Sequence, residues 1–267
     1  MKVPVYSLKG TKVGSVELPS VFSTPFRPDV IHKVYVALDS HRYQPKGTDP
    51  MAGERTSAES WGVGRGVARV ARVKGERHPR AGQAAGIAGV VKGRVAHPPK
   101  SEKIIWKRVN KKEKRLALAS AIAATANREL IILRGHKVGE LNTFPIVVSD
   151  SIEKVKKAKQ IIEFLEKIGL KEELKRLEKS RKKRSGKPRM RGRVTRSAQG
   201  PLIIVSQDKG IKNAVKNLIG IKCVLAKDLS ILDLAPGANP GRLTIWSKSA
   251  LKNIVKPVLR IGEVVAA

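Results

Sequence analysis

Residues 201–218 read PLIIVSQDKGIKNAVKNL and place a short apolar run directly before a segment with helical spacing. Two similar apolar runs follow, at Lys222–Ala226 and Leu243–Ser247, and the second of them precedes a helix-like segment near 248–256. Short apolar runs without alternation are typical of strands that are buried on both faces. Strands and helices in this alternation predict an α/β fold with a parallel sheet covered by helices.

The N-terminal part of the chain carries patterns of the same folded kind. Val3–Leu8 and Val13–Leu18 alternate loosely around a Lys-Gly-Thr-Lys turn, which predicts a β-hairpin. Apolar residues at helical spacing predict an amphipathic helix over about 29–41. A second helix is predicted from Asn110, which with Glu113 resembles a capping pair, to about Ala126.

The middle of the chain is predicted to form a strand followed by two helices. Phe144–Val148 is a short apolar run that fits a buried strand. Ser149 to Ser151 can cap the next helix, and Gly169 ends it. A further helical stretch begins at Leu170. The apolar side of the first of these helices is predicted to consist of Val155, Ala158, Ile162, Leu165 and Ile168.

The charge of the chain is far from balanced. Its 267 residues include 55 Lys and Arg against 22 Asp and Glu, which leaves a net charge of +33. Excess charge of one sign repels itself, so such a surface normally exists because a polyanion covers it. The hydrophobic fraction of 41% is sufficient for a core, and the single cysteine, Cys223, excludes a disulfide framework and a cysteine-based zinc site. No apolar run suits a membrane span or a secretory signal, which predicts a cytoplasmic protein without a membrane partner.

Residues 43–100 differ from the rest of the chain. They hold ten of its 23 glycines and show no sustained period of 3.6 or of 2. A structureless segment of this length is uncommon inside a compact domain, so it is either a linker or a functional extension, and its composition favours an arm. The sequence therefore predicts a globular domain formed by 1–42 and 101–267, and an extended basic arm at 43–100 that orders against RNA.

Three segments are predicted to bind RNA phosphates and bases. The strongest is Lys179–Arg196, with ten Lys or Arg and no acid, and the second is the basic run Lys100–Arg115. The third is the Gly- and Arg-rich part of the arm, where glycines let the backbone approach RNA closely. The candidate RNA-binding residues are Arg55, Trp61, Gly62, Gly64, Arg65, Gly66, Arg69, Arg72, Arg77, Arg80, Lys92, Arg94, Lys100, Lys107, Arg108, Lys111, Lys112, Arg115, Arg181, Lys182, Lys183, Arg184, Lys187, Arg189, Arg191, Arg193 and Arg196.

Other features do not indicate catalysis or a cofactor. No strand precedes the glycine cluster at Gly62, no dinucleotide fingerprint or P-loop is present, and the five histidines lack metal-ligand spacing. Asp150, Asp208 and Asp228 near strand ends are explained by helix caps and loop solvation. Trp61 could stack on a base or pack within the arm. The aromatic fraction of 4% favours recognition of RNA shape and backbone over a code of stacked bases.

Several motifs identify a family. Thr56–Val73 reads TSAESWGVGRGVARVARV, and Arg108–Ala126 reads RVNKKEKRLALASAIAATA. Leu234–Gly241, LAPGANPG, is followed by Arg242–Ala250, RLTIWSKSA, and VFSTPFRPDVIH stands at Val21–His32. Together these blocks resemble the large-subunit ribosomal protein four family in its archaeal and eukaryotic form, and the absence of a long C-terminal extension favours the archaeal type.

The resemblance implies a structural constituent of the large ribosomal subunit with a Rossmann-like α/β domain, that is, a Rossmann-like parallel sheet covered by helices. Members of this family bind large-subunit rRNA early in assembly, and their arm helps to form the constriction of the peptide exit tunnel beside large-subunit protein twenty-two. It implies that the arm tip lies within Trp61–Arg80, near the nascent peptide, with Arg65, Arg69 and Arg72 clamping rRNA or facing the tunnel. The alternatives are an RNA-modifying enzyme such as an RNA methyltransferase, and a free RNA-binding translational regulator or chaperone.

Overall fold

The computed structural model describes residues 1–139 and 141–258, with the backbone alone for 255–258. These residues divide into two compact units. One comprises residues 1–39 together with the described residues from 107 onward, and the other is Ser40–Trp106. We call the first the α/β unit and the second the arm unit.

The α/β unit is built on a six-stranded sheet in the order β2–β1–β5–β10–β8–β9. Only β1 and β2 pair antiparallel, and every other neighbouring pair is parallel. The predicted α/β fold with a parallel sheet is therefore confirmed. The strands in the described residues are β1 Lys2–Tyr6, β2 Lys12–Glu17, β3 Ala58–Glu59, β4 Arg72–Val73, β5 Ile146–Val148, β6 Lys182–Lys183, β7 Thr195–Arg196, β8 Leu202–Val205, β9 Lys222–Leu225 and β10 Thr244–Ser247.

Helices cover both faces of this sheet. The α-helices are α1 Pro28–Ser40, α2 Lys111–Ala124, α3 Arg128–Leu133, α4 Ala158–Lys167, α5 Lys171–Ser180, α6 Lys187–Met190, α7 Ile211–Lys216, α8 Ile231–Leu234 and α9 Lys248–Val258. Short 3-10 helices lie at Ser20–Ser23, Asp150–Lys154, Ala226–Asp228 and Pro236–Ala238.

Successive residues of each parallel strand enter opposite layers of the core. Val147 and Trp246 pack with the helices α1, α2, α8 and α9, whereas Ile146 and Ile245 pack with α3, α4, α5 and α7. Because side chains alternate across a strand, a strand buried on both faces must be apolar at every position. This is the physical origin of the unbroken apolar runs in the sequence.

Most of the predicted elements are present. The predicted N-terminal hairpin is β1 and β2, the helix expected over 29–41 is α1, and the helix expected from Asn110 is α2. The three late apolar runs are β8, β9 and β10, and α7 and α9 follow the first and third of them. Cys223 is half-buried against the core, and burial raises the pKa of its thiol to about 12.

The prediction of one continuous helix up to Gly169 was wrong. The structure has a 3-10 turn at Asp150–Lys154 and then a separate helix, α4. Glu153 explains the interruption, because its carboxylate accepts hydrogen bonds from the Ser206 backbone N–H and the Ser247 hydroxyl, both at 2.8 Å. These bonds hold the first turn against the strand ends. The buried residues of α4 are Ile161, Phe164 and the predicted Leu165, whereas the predicted Ile162 is only half-buried.

The predicted caps were also wrong in their chemistry. Asn110 stands at the N-cap position of α2, but its side chain makes no capping hydrogen bond, and the same holds for Ser149 before the 3-10 turn. Sequence reasoning missed α3, whose N-cap Asn127 accepts a hydrogen bond from the Glu129 backbone N–H at 2.9 Å. It missed α8 as well, a helix of only four residues.

A buried arginine joins three loops at the edge of the sheet. Arg242 is 1% exposed, and its guanidinium donates to the carbonyl oxygens of Gly200 and Asp233, each at 2.8 Å. Gly220 lies beside it with φ of +73°, and a Cβ there would meet the Ala198 carbonyl oxygen at 2.5 Å. Glycine is required at this position because both the backbone conformation and the available space exclude a side chain.

Candidate nucleic-acid interface

The basic segment Lys179–Arg196 forms a β-hairpin, which we call the basic hairpin. Its strands β6 and β7 pair antiparallel, with Lys182 opposite Arg196. The tip is the short helix α6, which begins after Gly186 and is followed by Gly192, and both glycines have positive φ. As predicted, no long helix runs through the segment, because left-handed turns at these two glycines reverse the chain.

The cations of the basic hairpin face solvent. Nine of its ten Lys and Arg residues are exposed, and Arg184 is half-buried. None of the ten forms an ion pair with any carboxylate in the described part of the chain. The hairpin is therefore a projection whose charge the protein itself leaves without a counter-charge, as binding to a phosphate backbone requires.

The base of the basic hairpin is tied to the α/β unit. The Ser180 hydroxyl donates to the Leu177 carbonyl at 2.6 Å and accepts a hydrogen bond from the Ala198 backbone N–H at 2.9 Å. Arg176 donates to the Gln199 carbonyl at 3.0 Å. Both ends of the hairpin are thus fixed on α5, so the projection leaves the sheet at a defined place.

A buried ion cluster holds Arg176 in position. Glu173 is fully buried, and Arg176 donates to its two carboxylate oxygens at 2.6 and 2.8 Å. The ring Nδ1 of His136 lies 2.7 Å from Glu173 Oε1, and the Lys137 backbone N–H donates to Oε2 at 2.9 Å. Sequence reasoning missed this cluster, because mixed charges such as those of α5 are typical of a solvated helix face. Among the charged residues of α5, only Glu173 is buried.

The titration of this cluster follows from its contacts. Burial acts to raise the pKa of Glu173, but hydrogen bonds from Arg176, His136 and the Lys137 N–H outweigh it and lower the pKa to about 2. Burial lowers the pKa of His136 and outweighs the opposing hydrogen bond and charge of Glu173, and the charges of Arg176 and Arg134 act in the same direction as burial. Because a carboxylate only accepts, the His136 Nδ1–H donates to Glu173.

We expect Glu173→Gln to lower the free energy of unfolding by about 3 kcal/mol at pH 7. The folded pKa of Glu173 lies below its unfolded value of 4.5, so its contribution is complete above pH 4.5 and is lost as pH falls toward 2. His136 acts in the same direction, because its pKa in the folded protein lies below the unfolded value of 6.5. Below pH 6.5 the unfolded state therefore binds more protons, and the free energy of unfolding falls. Thermal unfolding of both proteins between pH 7 and pH 3 tests this, with the exposed Glu172→Gln as control. A difference that stays constant down to pH 3 would contradict it.

The arm unit contains a small ladder of strands. β3 and β4 pair antiparallel, with Ala58 opposite Val73, and a further bridge joins Arg72 to Ala84. Val73 and Ala85 are buried inside this ladder. The glycine- and arginine-rich residues 60–71 form the loop between β3 and β4, and all but four of the residues from 60 to 73 are exposed.

Trp61 packs within the arm unit and remains half-exposed. The Arg72 guanidinium lies 5.2 Å from the centroid of its ring, and Arg72 also donates to the Gly82 carbonyl at 2.9 Å. Trp61 keeps 52% of its surface exposed. The packing alternative for Trp61 is thus realised, and the exposed part of the side chain is still accessible to a base.

The other arm candidates fall into two groups. Arg55 is paired with Asp49, and Arg94 lies 3.4 Å from Glu54, so these two have acidic neighbours inside the arm unit. The remaining cations, Arg65, Arg69, Arg77, Arg80 and Lys92, form no ion pair with a described carboxylate. Arg65 and Arg69 are exposed on the β3–β4 loop beside Gly62, Gly64 and Gly66, whose φ values are positive.

The basic run Lys100–Arg115 leads into α2. Lys100, Lys107, Arg108, Lys111 and Lys112 are exposed, and Arg115 is half-buried. The acid of the first helical turn, Glu113, is paired with Lys33 at 2.7 Å. Lysines at the positive end of a helix are electrostatically unfavourable, and an anion bound there would offset this.

The carboxyl ends of the parallel strands hold protein side chains. Glu153 occupies the position between β8 and β10 through its bonds to Ser206 and Ser247. Asp150 accepts from the Ser249 N–H at 2.8 Å and Asp208 from the Gly210 N–H at 3.0 Å, so both act as caps, as predicted. This is the edge at which α/β enzymes bind cofactors, and here the buried carboxylate of Glu153 is bonded between the ends of β8 and β10.

The described residues show neither a metal-binding cluster nor a membrane-spanning helix. No group of three or more His, Cys, Asp or Glu side chains in the described part of the chain could hold a metal ion. Among the helices of residues 1–139 and 141–258, none has the length and apolar content to cross a membrane.

Comparison with known proteins decides the family. Residues 16–257 match the model of the ribosomal protein L4/L1 family. The chain belongs to this family. It is similar to the large ribosomal subunit protein uL4 of Methanopyrus kandleri, with 46% identity over 98% of this chain and 100% of the relative. The proteins of the same name from Methanosphaera stadtmanae and Saccharolobus islandicus are 46% and 47% identical, over 95% and 91% of this chain and 96% and 90% of the relatives.

These matches confirm the resemblance carried by the arm motif, the α2 block and the LAPGANPG block. Membership of the ribosomal protein L4/L1 family confirms the prediction of a structural, non-enzymatic protein, and the relatives come from archaea as expected. None of these matches supports the alternative of an RNA-modifying enzyme.

Proposed function

We propose that this chain is a structural constituent of the large ribosomal subunit in the cytoplasm and binds large-subunit rRNA early in assembly. The observation that carries the proposal is the basic hairpin, a tethered projection of ten cations without a described counter-charge. Family membership indicates that the RNA is large-subunit rRNA. The net charge of +33 favours binding, because each contact between a cation and a phosphate releases counterions.

We further propose a division of labour between the two units. The α/β unit anchors the protein through the basic hairpin and the basic run before α2. The arm unit reaches the peptide exit tunnel, where it meets large-subunit protein twenty-two and the nascent peptide. The exposed loop between β3 and β4, with Arg65 and Arg69, supports this role because glycine and arginine suit close contact with RNA backbone. In this proposal Trp61, Arg72, Arg77 and Arg80 contact RNA beside that loop.

Shortening the arm tests the division of labour. Deletion of residues 62–69 removes the tip of the loop and leaves the β3–β4 ladder intact. We expect the shortened protein to bind rRNA within about twofold of the full chain, because the basic hairpin is unchanged. Crosslinks between this protein and a stalled nascent peptide should disappear.

Cosedimentation separates the possible outcomes. A structural constituent stays at one copy per large subunit after a moderate salt wash, whereas a transient regulator dissociates. Release of the full-length protein in the wash would contradict the proposed function. Loss of all rRNA binding after deletion of 62–69 would instead contradict only the division between anchor and arm. Deletion of the tip helix α6 from the basic hairpin serves as the opposite variant, since it should weaken rRNA binding and spare the nascent-peptide crosslinks of protein that still assembles.

A further inference from the structure

A cleft of about 840 Å³ opens on the α/β unit at the base of the basic hairpin. Residues from five places in the chain line it, including Phe26 before α1, Leu133 at the end of α3, Arg176 on α5 and Arg196 at the end of β7. Its size is in the range typical of sites that enclose a small organic group. Of its residues only Arg196 was a candidate from the sequence.

One wall of the cleft is apolar and accessible to water. Leu133 is 84% exposed and Phe26 is 43% exposed, and Leu130 lines the same cleft. A single exposed leucine needs no explanation, but large apolar side chains gathered in a concave surface mark a binding site. The flat face of an aromatic or heterocyclic ring would cover this wall.

The rim of the cleft carries positive charge. Arg134 donates to the carbonyl oxygens of Pro236 at 2.9 Å and Pro240 at 3.4 Å, and no described carboxylate pairs with it. Burial and the nearby Arg176 lower the pKa of Arg134 to about 10, so it stays charged at pH 7. Arg196 is exposed, and no described acid pairs with it either. Arg176 is neutralised by Glu173, which leaves Arg134 and Arg196 for an anionic ligand.

Polar groups stand beside this rim. The side chains of Gln199 and Asn239 line the cleft and are exposed. A carboxamide both donates and accepts, which matches the edge of a nucleobase. Ala238, between Gly237 and Asn239, has φ of +64°, a conformation that residues other than glycine rarely adopt.

We propose that this cleft receives one unpaired nucleotide of RNA, with its base on the wall formed by Phe26 and Leu133 and its phosphate on Arg134 and Arg196. The inference rests on the proposed rRNA binding and adds the place where the α/β unit recognises an extruded base. RNA is favoured over an acidic peptide because the cleft continues into the basic hairpin, which tracks a phosphate backbone. The base must be unpaired, since stacking of a paired base hides its faces. Phe26 offers the base an aromatic face, and aliphatic and guanidinium contacts supplement it in a chain with few aromatic residues.

Anisotropy with two fluorescein-labelled RNA hairpins tests the inference on the full chain. One hairpin carries a single-nucleotide bulge, and the other is identical but fully paired. We expect the bulged RNA to bind about tenfold more tightly, because a stacked base adds affinity. Leu133→Ala should reduce this preference to about twofold and leave binding of the paired RNA unchanged. Ile132→Ala, at the adjacent exposed residue outside the cleft, is the matched control and should keep the preference.

The outcomes separate the inference from the function on which it rests. Equal affinity for both hairpins would overturn the nucleotide site and leave rRNA binding intact, whereas failure to bind either would overturn both. A photo-crosslinker in place of Leu133 provides the second readout in assembled large subunits. An adduct at one rRNA nucleotide, absent from the Ile132 position, supports the site. An adduct with a neighbouring protein from Leu133 would show that a polypeptide occupies the cleft and overturn the proposal.

Discussion

Replacing Arg189, Arg191 and Arg193 together by alanine is expected to weaken binding to large-subunit rRNA roughly 100-fold at low salt. These side chains project from the tip of the basic hairpin and are exposed, so their removal leaves the α/β unit unaffected. An exposed contact between cation and phosphate contributes about 1 kcal/mol. Three lost contacts should also lower the slope of log affinity against log salt by about two to three.

A charge-matched variant distinguishes local contacts from a general effect of net charge. Three exposed lysines lie at and just before the start of α4, namely Lys154, Lys157 and Lys159. Their replacement by alanine removes the same number of positive charges, three. We expect this control to change the salt slope by less than about one. Equal slopes for the two triple variants would mean that the basic hairpin makes no specific contact with RNA. Titrations of the full-length protein between 50 and about 300 mM salt provide the measurement.

Arg242→Met is expected to reduce the free energy of unfolding by about 2–4 kcal/mol. The guanidinium is the donor for the buried carbonyls of Gly200 and Asp233, and methionine offers no replacement. The Gly220 carbonyl lies 3.5 Å from the Arg242 guanidinium. It would keep a hydrogen-bond donor after the substitution, because it accepts from the Gly200 N–H at 2.8 Å. The expected loss therefore corresponds to two orphaned acceptors. Removing the desolvation cost of the cation, whose pKa is lowered to about 10 by burial, offsets part of it.

Urea unfolding followed by circular dichroism measures this effect. Arg128→Met, at an exposed arginine on α3, is the control and should lie within about 0.5 kcal/mol of the parent protein. Arg242→Lys should recover part of the loss, because an ammonium reaches one carbonyl but cannot span both. An Arg242→Met protein as stable as the parent would show that the three loops are held by packing alone.

The strands and long helices could be predicted because their signals are local. β8 is apolar at all four positions, β9 at three of four, and β10 has Ile245 and Trp246 at its centre, while α1, α2 and α5 carry helical spacing over several turns. The 3-10 turn at Asp150–Lys154 could not be predicted in this way. It exists because Glu153 bonds to Ser206 and Ser247, which are distant along the chain and meet only in the folded sheet.

The sequence predicted the candidate site only in part. Composition located the basic hairpin, because ten cations without an acid are visible in any reading of residues 179–196. It did not reveal Arg134 and Arg176, which stand in ordinary mixed sequence. Their positions follow from the carbonyls of Pro236 and Pro240 and from the buried carboxylate of Glu173.

The sequence by itself determined the α/β class, the excess of positive charge and the family, since each depends on residue types and their spacing along the chain. The tertiary structure alone decided which charges are neutralised and which remain for a ligand. Arg176 lies just before the basic hairpin and Arg196 is its last residue, yet Arg176 is paired with Glu173 and Arg196 is exposed. The physical reason is that neutralisation and burial depend on distance in space, and that distance is created only when the sheet brings remote segments together.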